Sequence, residues 1–304
     1  MKKITFFQHH HNGDLFVSKE YIRQIKNDLP DFYIEYLHNN NPKTLLDLEI
    51  PQFPFDVNSL SQDLVYIEKQ DHLYINTWLF VHPQYDKRGN INHSVMNRVF
   101  SDVFDKINQY FKVNLILKEK HNYVAKIDYS KFDVSSIDMF IMHHKNKKVL
   151  ISNGKPMAKQ SFDNDMGKII NSIAKSYKDV YFICTDKFDT LCPNIIFTDE
   201  LILAEYDTTV LNSWNKKRCD LNEISYLSKF CDIIVGKNSG PYIYCMTEEN
   251  INDPNKTIIV FNKRSLDSLL AEINHKAKYV YQKIDHKTFN ADIVKQTIEE
   301  NLNG

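Results

Sequence analysis

The feature that most constrains this sequence is an alternation of short apolar runs with segments whose apolar residues recur at helical spacing. Lys3–Gln8 is a short apolar run typical of a β-strand. Residues 15–29 carry apolar side chains at helical spacing until Pro30 ends the predicted helix. Residues 31–38 predict a second strand. Strand, helix and strand in this order indicate a βαβ unit, the building block of a parallel sheet.

The second half repeats this alternation more clearly. Strands are predicted at 149–152, 179–185, 195–197, 232–236 and 257–261, and helices at 161–176, 221–230 and 291–302. Before them, residues 94–111 predict a helix, and the charged segment 118–148 contains the predicted domain junction. The 304 residues are enough for two domains. We therefore expect two α/β domains, residues 1–146 and 147–304, with a cleft between them.

Charge and hydropathy exclude several classes of protein. Lys and Arg number 38 against 39 Asp and Glu, whereas a protein that holds nucleic acid by charge normally has a basic excess. We therefore expect no nucleic-acid partner. No run of 18 apolar residues is present, which argues against a transmembrane segment. The N-terminal apolar run is too short for a signal peptide, so a cytoplasmic location is expected.

The cysteines point to the same compartment. There are five, an odd number, and no two form a Cys-x-x-Cys pair. This pattern is typical of buried free thiols in a reducing compartment, not of a disulfide framework or a zinc site. They are Cys184, Cys192, Cys219, Cys231 and Cys245.

Glycine is scarce, and three of the seven glycines follow predicted strands. Ligands of parallel sheets bind beyond the carboxyl ends of the strands, so the loops at Gly13, Gly154 and Gly240 are candidate binding loops. The most specific is 236–241, where Gly240 and Pro241 begin a predicted helix. Free backbone N–H groups at such a start suit a phosphate, and the hydroxyl of Ser239 adds a donor. The alternative is a capped helix that binds nothing.

Three segments of the chain resemble the heptosyltransferase-like glycosyltransferases. Residues 221–241 read LNEISYLSKFCDIIVGKNSGP and resemble that family's donor-site signature, which ends in Gly-x-Asp-Thr-Gly-Pro. The first strand followed by Gly13-Asp14-Leu15 resembles its Gly-Asp element. Residues 149–159 resemble the strand that opens its second domain and the lysine-containing loop that follows. The three segments also keep the family's order along the chain.

This resemblance implies a GT-B fold, in which two Rossmann-like domains face an interdomain cleft. It implies that a nucleotide-diphosphate sugar binds the second domain and a glycan or other hydroxyl acceptor binds the first. It also implies transfer with inversion, no metal and no other cofactor, and a last helix free to pack back on the first domain. The chain departs from the family where Asn238-Ser239 replace Asp-Thr, where Ile243 stands near the position of a family histidine, and where a histidine run replaces a double glycine.

On the acceptor side, glycosyl transfer needs a base that removes the proton of the acceptor hydroxyl. Asp14 is the candidate base, and its alternative role is the N-cap of a helix that begins at Leu15. His10 and His11 are predicted to line the cleft and donate to acceptor or phosphate. Alternatively they are polar loop residues, or they bind a metal together with Asp14 and the pair 143–144.

On the donor side, a positive site must stabilise the departing diphosphate. Lys155 and Lys159 are candidates for it, the alternative being solvated lysines. Glu223 is predicted to accept hydrogen bonds from ribose hydroxyls, or else to be a favourable charge in a first helical turn. Tyr242 and Tyr244 either stack on a base or pack in the core. The predicted donor-binding residues are Gly154, Lys155, Lys159, Glu223, Asn238, Ser239, Gly240 and Pro241.

These features predict a metal-independent glycosyltransferase. One alternative is a non-catalytic nucleotide- or sugar-binding protein of the same fold, in which Asn238 and the missing histidine record lost chemistry. A second is an α/β hydrolase that holds a metal with its histidine run. Loss of turnover on replacement of Asp14, with donor binding retained, favours the enzyme, and sensitivity to EDTA favours the hydrolase.

Overall fold

A computed structural model of the chain describes residues 1–9, 12–56, 58–83, 93–118, 124–154, 166–202, 220–237, 240–262, 275–284 and 291–303. Within them the chain divides into two compact units, 1–128 and 129–303. Residues 129–146, which the sequence assigns to the first domain, belong to the second unit. The reason is local packing, because Phe140 contacts the ring of Tyr181 and the Nδ1 atom of His144 lies 2.7 Å from its hydroxyl.

The first unit contains a five-stranded sheet. Its strands are β1 (Lys3–Gln8), β2 (Tyr33–His38), β3 (Gln52–Pro54), β4 (Tyr66–Lys69) and β5 (His72–Asn76), in the order β3-β2-β1-β5-β4. All neighbours are parallel except β4, which is antiparallel to β5. From β1 the chain adds β2 and then β3 on one side of the sheet, whereas β5 lies on the other side of β1. The strand order therefore reverses between β1 and β5, where ligands of such sheets bind.

Two long helices cover one face of this sheet. They are α1 (Asn12–Asp28) and α2 (His93–Phe111). Ile22 and Ile25 of α1 and Val103 of α2 join Ile4 and Phe6 of β1 in the main core. The predicted βαβ unit is therefore present, although α1 begins three residues before the predicted start.

The second unit contains a six-stranded sheet whose neighbouring strands are all parallel. Its strands are β6 (Lys148–Ser152), β7 (Tyr181–Cys184), β8 (Ile195–Phe197), β9 (Ile233–Lys237), β10 (Thr257–Asn262) and β11 (Lys278–Lys283), in the order β11-β10-β9-β6-β7-β8. Its helices are α3 (Ser135–His143), α4 (Met166–Ser176), α5 (Thr198–Leu201), α6 (Leu221–Ser228), α7 (Gly240–Tyr244), α8 (Glu248–Ile251) and α9 (Ala291–Leu302). The sequence pattern does not predict β3 or β11, since both are edge strands with few buried apolar residues.

The last helix packs on the second sheet. Val294, Ile298 and Leu302 of α9 share a core with Ile170 of α4 and Ile259 of β10. The apolar face of α9 is therefore buried within its own unit.

Two predictions about cysteines and membrane spans can be compared with the described residues. Cys184, Cys192, Cys231 and Cys245 are free and buried, as predicted, and Cys219 lies outside the described residues. In the described part of the chain, no helix combines the length and the apolar character needed to cross a bilayer.

Candidate active site

Asp14 lies in the first turn of α1, close to the carboxyl end of β1. Because α1 begins at Asn12, Asp14 is the third residue of the helix and does not occupy the N-cap position. The alternative role predicted for it is therefore wrong. Its side chain is buried, and the residue is 5% exposed.

Burial also sets the protonation of Asp14. Desolvation raises the pKa of this carboxyl to about 7, and no other group among the described residues contributes to the shift. Burial disfavours the charged form of an acid, which explains the direction. A base works best when its pKa lies near the working pH, so Asp14 is poised to accept a proton at neutral pH. A perturbed acid of this kind is typical of functional sites.

Asp14 lies beside a group of buried polar side chains centred on the hydroxyl of Tyr36 in β2. This hydroxyl forms a short hydrogen bond with Oγ1 of Thr77, and the backbone N–H of Thr77 donates to the carbonyl of Phe7 over 3.0 Å. Burial raises the pKa of Tyr36, and the charge of Asp14 raises it further. The carboxyl therefore lies close enough to act on the Tyr36 hydroxyl.

Gln8 ends β1 in the same neighbourhood and is 1% exposed. It lies beside the Tyr36 hydroxyl, but neither atom of its amide group forms a hydrogen bond of good geometry with the described residues. Buried polar groups in native proteins almost always have partners. The Gln8 amide therefore keeps hydrogen-bonding capacity for a further polar group, such as a substrate hydroxyl.

The predicted residues of the acceptor side are only partly described. His10 and His11 lie outside the described residues. His9, the first of the run, packs its ring against Phe55 and Trp78. Sequence reasoning missed Gln8, Tyr36 and Thr77, because only the folded sheet brings these three to Asp14.

The first turn of α6 contains Glu223, as the predicted helix at 221–230 requires. This residue is 1% exposed. Two residues further along, the hydroxyl of Ser225 lies 3.0 Å from the hydroxyl of Tyr129 and donates to the carbonyl of Tyr244 over 2.5 Å. These bonds fix α6 against α7. The position of Glu223 agrees with either of its predicted roles.

The short helix α7 begins at Gly240, at the predicted position. Tyr242 and Tyr244 are 4% and 0% exposed, so they pack in the core and do not stack on a base. Gly236 at the end of β9 is required for this packing, because an added Cβ would clash with the ring of Tyr242. Asn238 and Ser239 lie outside the described residues.

The loop after β6 approaches the loop after β7 closely. Oδ1 of Asn153 accepts a hydrogen bond from the backbone N–H of Asp186 over 2.9 Å, and its Nδ2 donates to the carbonyl of Asp186 over 2.7 Å. A Cβ at Gly154 would lie 2.9 Å from Oδ2 of Asp186, so only glycine fits there without displacing that carboxylate. Lys155 and Lys159 are outside the described residues. Sequence reasoning missed Asp186, although it directly follows a predicted strand.

The histidines of the run at 9–11 and of the pair 143–144 are also candidate metal ligands. Where the structure describes the chain, no three His, Cys, Asp or Glu side chains are grouped so that they could hold a metal ion. His144 instead packs against Phe140 and Tyr181. The role of the run at 9–11 in metal binding stays a prediction, because two of its members are not described.

A pair of Rossmann-like α/β units, each with its polar loops at the carboxyl ends of parallel strands, places the chain in the GT-B class of folds. Solved structures confirm this fold class, since three of them superpose on almost the whole chain. The glycosyl transferase family 9 protein of Veillonella parvula DSM 2008 has a TM-score of 0.53 and 10% identity over 98% of this chain and 91% of that protein. E. coli ADP-heptose LPS heptosyltransferase II has a TM-score of 0.53 and 11% identity over 99% of this chain and 98% of its own.

The third structure is E. coli heptosyltransferase WaaC with ADP-2-deoxy-2-fluoro heptose. Its TM-score is 0.51 at 7% identity, over 98% of this chain and 99% of that enzyme. In sequence, the chain matches no protein-family model and no curated protein. At such low identities the likeness establishes the fold, and the resemblance to heptosyltransferase-like proteins is confirmed at that level.

Proposed function

We propose that this protein is a glycosyltransferase that moves a sugar from a nucleotide-diphosphate donor to an acceptor hydroxyl in the synthesis of a glycoconjugate. The observation that carries the proposal is Asp14, a buried carboxyl with a pKa of about 7 near the carboxyl end of β1. It supports a general base in a fold shared with heptosyltransferases, one of which was solved with a fluorinated ADP-heptose.

In the proposed reaction, Asp14 removes the proton of the acceptor hydroxyl as the oxygen attacks C1 of the donor sugar. The bond between C1 and the diphosphate oxygen breaks, and the diphosphate leaves with the bonding electrons. Direct attack inverts the configuration at C1. Asp14 then releases its proton to solvent. The Gln8 amide is suited to orient the acceptor hydroxyl, and His10 and His11 are proposed to donate to acceptor or phosphate.

The second unit is proposed to bind the donor. Glu223 would accept hydrogen bonds from the ribose hydroxyls. The diphosphate would lie against the loops that follow β6 and β9, where lysine charges and backbone N–H groups stabilise its negative charge without a metal. The residues proposed for this role are Gly154, Lys155, Lys159, Asn238, Ser239, Gly240 and Pro241.

A cytoplasmic location is also proposed. The four described cysteines are free and buried, which supports a reducing compartment.

Calorimetric titration with nucleoside diphosphates and their sugars, combined with a turnover assay, tests the proposal. We expect one nucleoside diphosphate and its sugars to bind. The slow rate at which the diphosphate is released from its sugar should rise as the pH increases through about 7. Asp14→Asn should retain donor binding and lose turnover by about 10²–10⁴-fold. Asp31→Asn, an exposed carboxyl of the same unit, is the control and should keep full turnover.

Two results would change the conclusion. Donor binding without any turnover would favour the non-catalytic binding protein. Turnover that EDTA abolishes and added metal restores would refute the metal-independent mechanism.

A further inference from the structure

Five aromatic rings form a continuous series in the first unit, which we call the aromatic ladder: Phe7, Phe55, His9, Trp78 and Phe80. The rings of Phe7 and Phe55 stack with centroids 5.5 Å apart, and Phe55 stacks on His9 at 5.9 Å. His9 meets Trp78 edge-on at 5.8 Å, and Trp78 lies 5.5 Å from Phe80. Each spacing is within the range of favourable aromatic pairs.

The ladder runs from the core to the surface at one edge of the sheet. Phe7 is fully buried, whereas Phe80 is 39% exposed. His9 follows β1, Phe55 follows β3, and Trp78 follows β5. Since these strands are parallel, the outer rings lie at the carboxyl edge of the sheet, which is also the edge where α1 and Asp14 begin.

The outer end of the ladder is held in place by the backbone. The backbone N–H of Trp78 donates to Oδ1 of Asn76 over 3.0 Å. The carbonyl of Trp78 accepts the N–H of Val81 over 3.2 Å and so closes a short 3-10 turn that contains Phe80. The backbone that carries Trp78 and Phe80 is therefore preorganised, which reduces the entropy lost when a ligand binds there.

We infer that the aromatic ladder is the acceptor-binding platform and that the acceptor is an uncharged saccharide, whose ring packs on Trp78 and Phe80. The inference rests on the proposed function. Ligand sites commonly combine rigid aromatic surface with a few polar groups, and a sugar ring offers apolar C–H faces to the first and hydroxyls to the second. The Gln8 amide at the same edge supplies both a donor and an acceptor for a hydroxyl.

Charge favours an uncharged acceptor over an anionic one. Asp14 must ionise to act as a base, and Asp56, the residue after Phe55, adds an exposed carboxylate at this edge. A phosphate or carboxylate on the acceptor would repel both groups and would hinder the ionisation of Asp14.

Tryptophan fluorescence tests the inference directly, because Trp78 and Trp214 are the two tryptophans of the chain. In a Trp214→Phe variant, Trp78 alone reports on binding. The probes are methyl glycosides of uncharged hexoses and N-acetylhexosamines, their disaccharides, and glucose 6-phosphate as the charged counterpart. At least one uncharged glycoside should change the emission saturably and bind about tenfold or more tighter than glucose 6-phosphate.

Phe80→Ala should weaken that binding by about threefold to tenfold, the loss expected for one aromatic contact. Phe230→Ala is the matched control, since Phe230 is 36% exposed in the second unit, and it should not affect binding. Equilibrium dialysis of the unaltered chain with the tritiated glycoside checks that Trp214→Phe has not changed the affinity.

Three results would overturn the inference: no uncharged glycoside binds, glucose 6-phosphate binds best, or Phe80→Ala behaves like Phe230→Ala. Diphosphate release from the sugar donor, measured in parallel, separates the two proposals. Donor turnover without saccharide binding refutes the acceptor role of the aromatic ladder and leaves the proposed glycosyltransferase activity standing. Saccharide binding without any nucleotide binding refutes the glycosyltransferase and leaves the ladder as a saccharide site.

Discussion

Two buried carboxyls of the first unit, Asp14 in α1 and Asp47 beside it, have opposite surroundings. The side chain of Asp47 is 0% exposed and receives two cations, Nζ of Lys19 at 2.5 Å and Nη2 of Arg23 at 3.1 Å. Asp14 is 5% exposed, and burial alone raises its pKa to about 7. Asp47 is thus paired with two cations, whereas burial has raised the pKa of Asp14.

The difference separates a structural acid from a candidate catalytic one. Asp47 also accepts hydrogen bonds at its carbonyl from Arg23 and at Oδ2 from the backbone N–H of Asp128, at 3.1 and 3.4 Å. It thereby joins α1, the 3-10 helix Pro42–Leu48 that contains it and the end of the unit. Asp14 makes no comparable network among the described residues, and a destabilising buried acid of this kind is typical of sites where a proton must move.

Removing the paired carboxyl should have the largest effect on stability. Asp47→Ala leaves the fully buried ammonium of Lys19 without its partner, and we expect the free energy of unfolding to fall by about 3–5 kcal/mol. Urea denaturation followed by circular dichroism measures this loss. The double variant Lys19→Met/Asp47→Leu is the control and should recover most of it, since an apolar pair carries no buried charge. A loss below about 1 kcal/mol for Asp47→Ala would place this pair with ordinary surface ion pairs.

Replacement of the Asp14 carboxyl by an amide should instead stabilise the protein, and the size of this effect should depend on pH. The pKa of Asp14 is raised on folding, so the unfolded chain ionises first as pH rises from about 4, and the native state is progressively disfavoured until about pH 7. Asp14→Asn removes that penalty. At pH 8 we expect it to be more stable than the natural chain by up to about 4 kcal/mol, the equivalent of about three pKa units.

Denaturation curves at pH 8, 6 and 4 check this prediction. The gain should shrink as pH falls and should vanish near pH 4, where both states hold the proton. If Asp14→Asn is instead less stable at pH 8, the carboxylate makes a favourable contact when ionised, and the contrast with Asp47 disappears.

Much of the fold was predictable because the apolar periodicity is strong wherever an element is buried. Lys3–Gln8 and Ile195–Phe197 agree with the predicted strands, and Ala291–Leu302 agrees with the predicted helix. The edge strand at 278–283 was missed because its residues are mostly half-exposed, which leaves little apolar signal. The two compact units divide after residue 128 and not after 146, because nothing in the sequence of residues 129–146 indicates that they pack on Tyr181.

Within the site, the sequence could predict only a residue that stands in a recognisable pattern. Asp14 follows a strand and a glycine, so its position at the edge of the sheet could be inferred from the sequence. Its pKa could not, since that depends on side chains packed around it in the fold. Tyr36 and Thr77 carry no signal, because a tyrosine in a strand is usually a core residue.

Tyr36→Phe makes the smallest change and tests whether burial alone sets the pKa of Asp14. The substitution removes the hydroxyl that bonds Thr77, and we expect the free energy of unfolding to fall by about 0.5–1.5 kcal/mol. The pH midpoint of donor turnover should stay near 7, because desolvation, which phenylalanine preserves, is the cause of the shift. A matched Tyr74→Phe variant, a half-buried tyrosine on β5, controls for the loss of a hydroxyl elsewhere in the sheet. If Tyr36→Phe moves the midpoint by one pH unit or more while Tyr74→Phe does not, the Tyr36 hydroxyl holds the Asp14 proton. Asp14 would then resemble Asp47, a carboxyl governed by its partner and not by its burial.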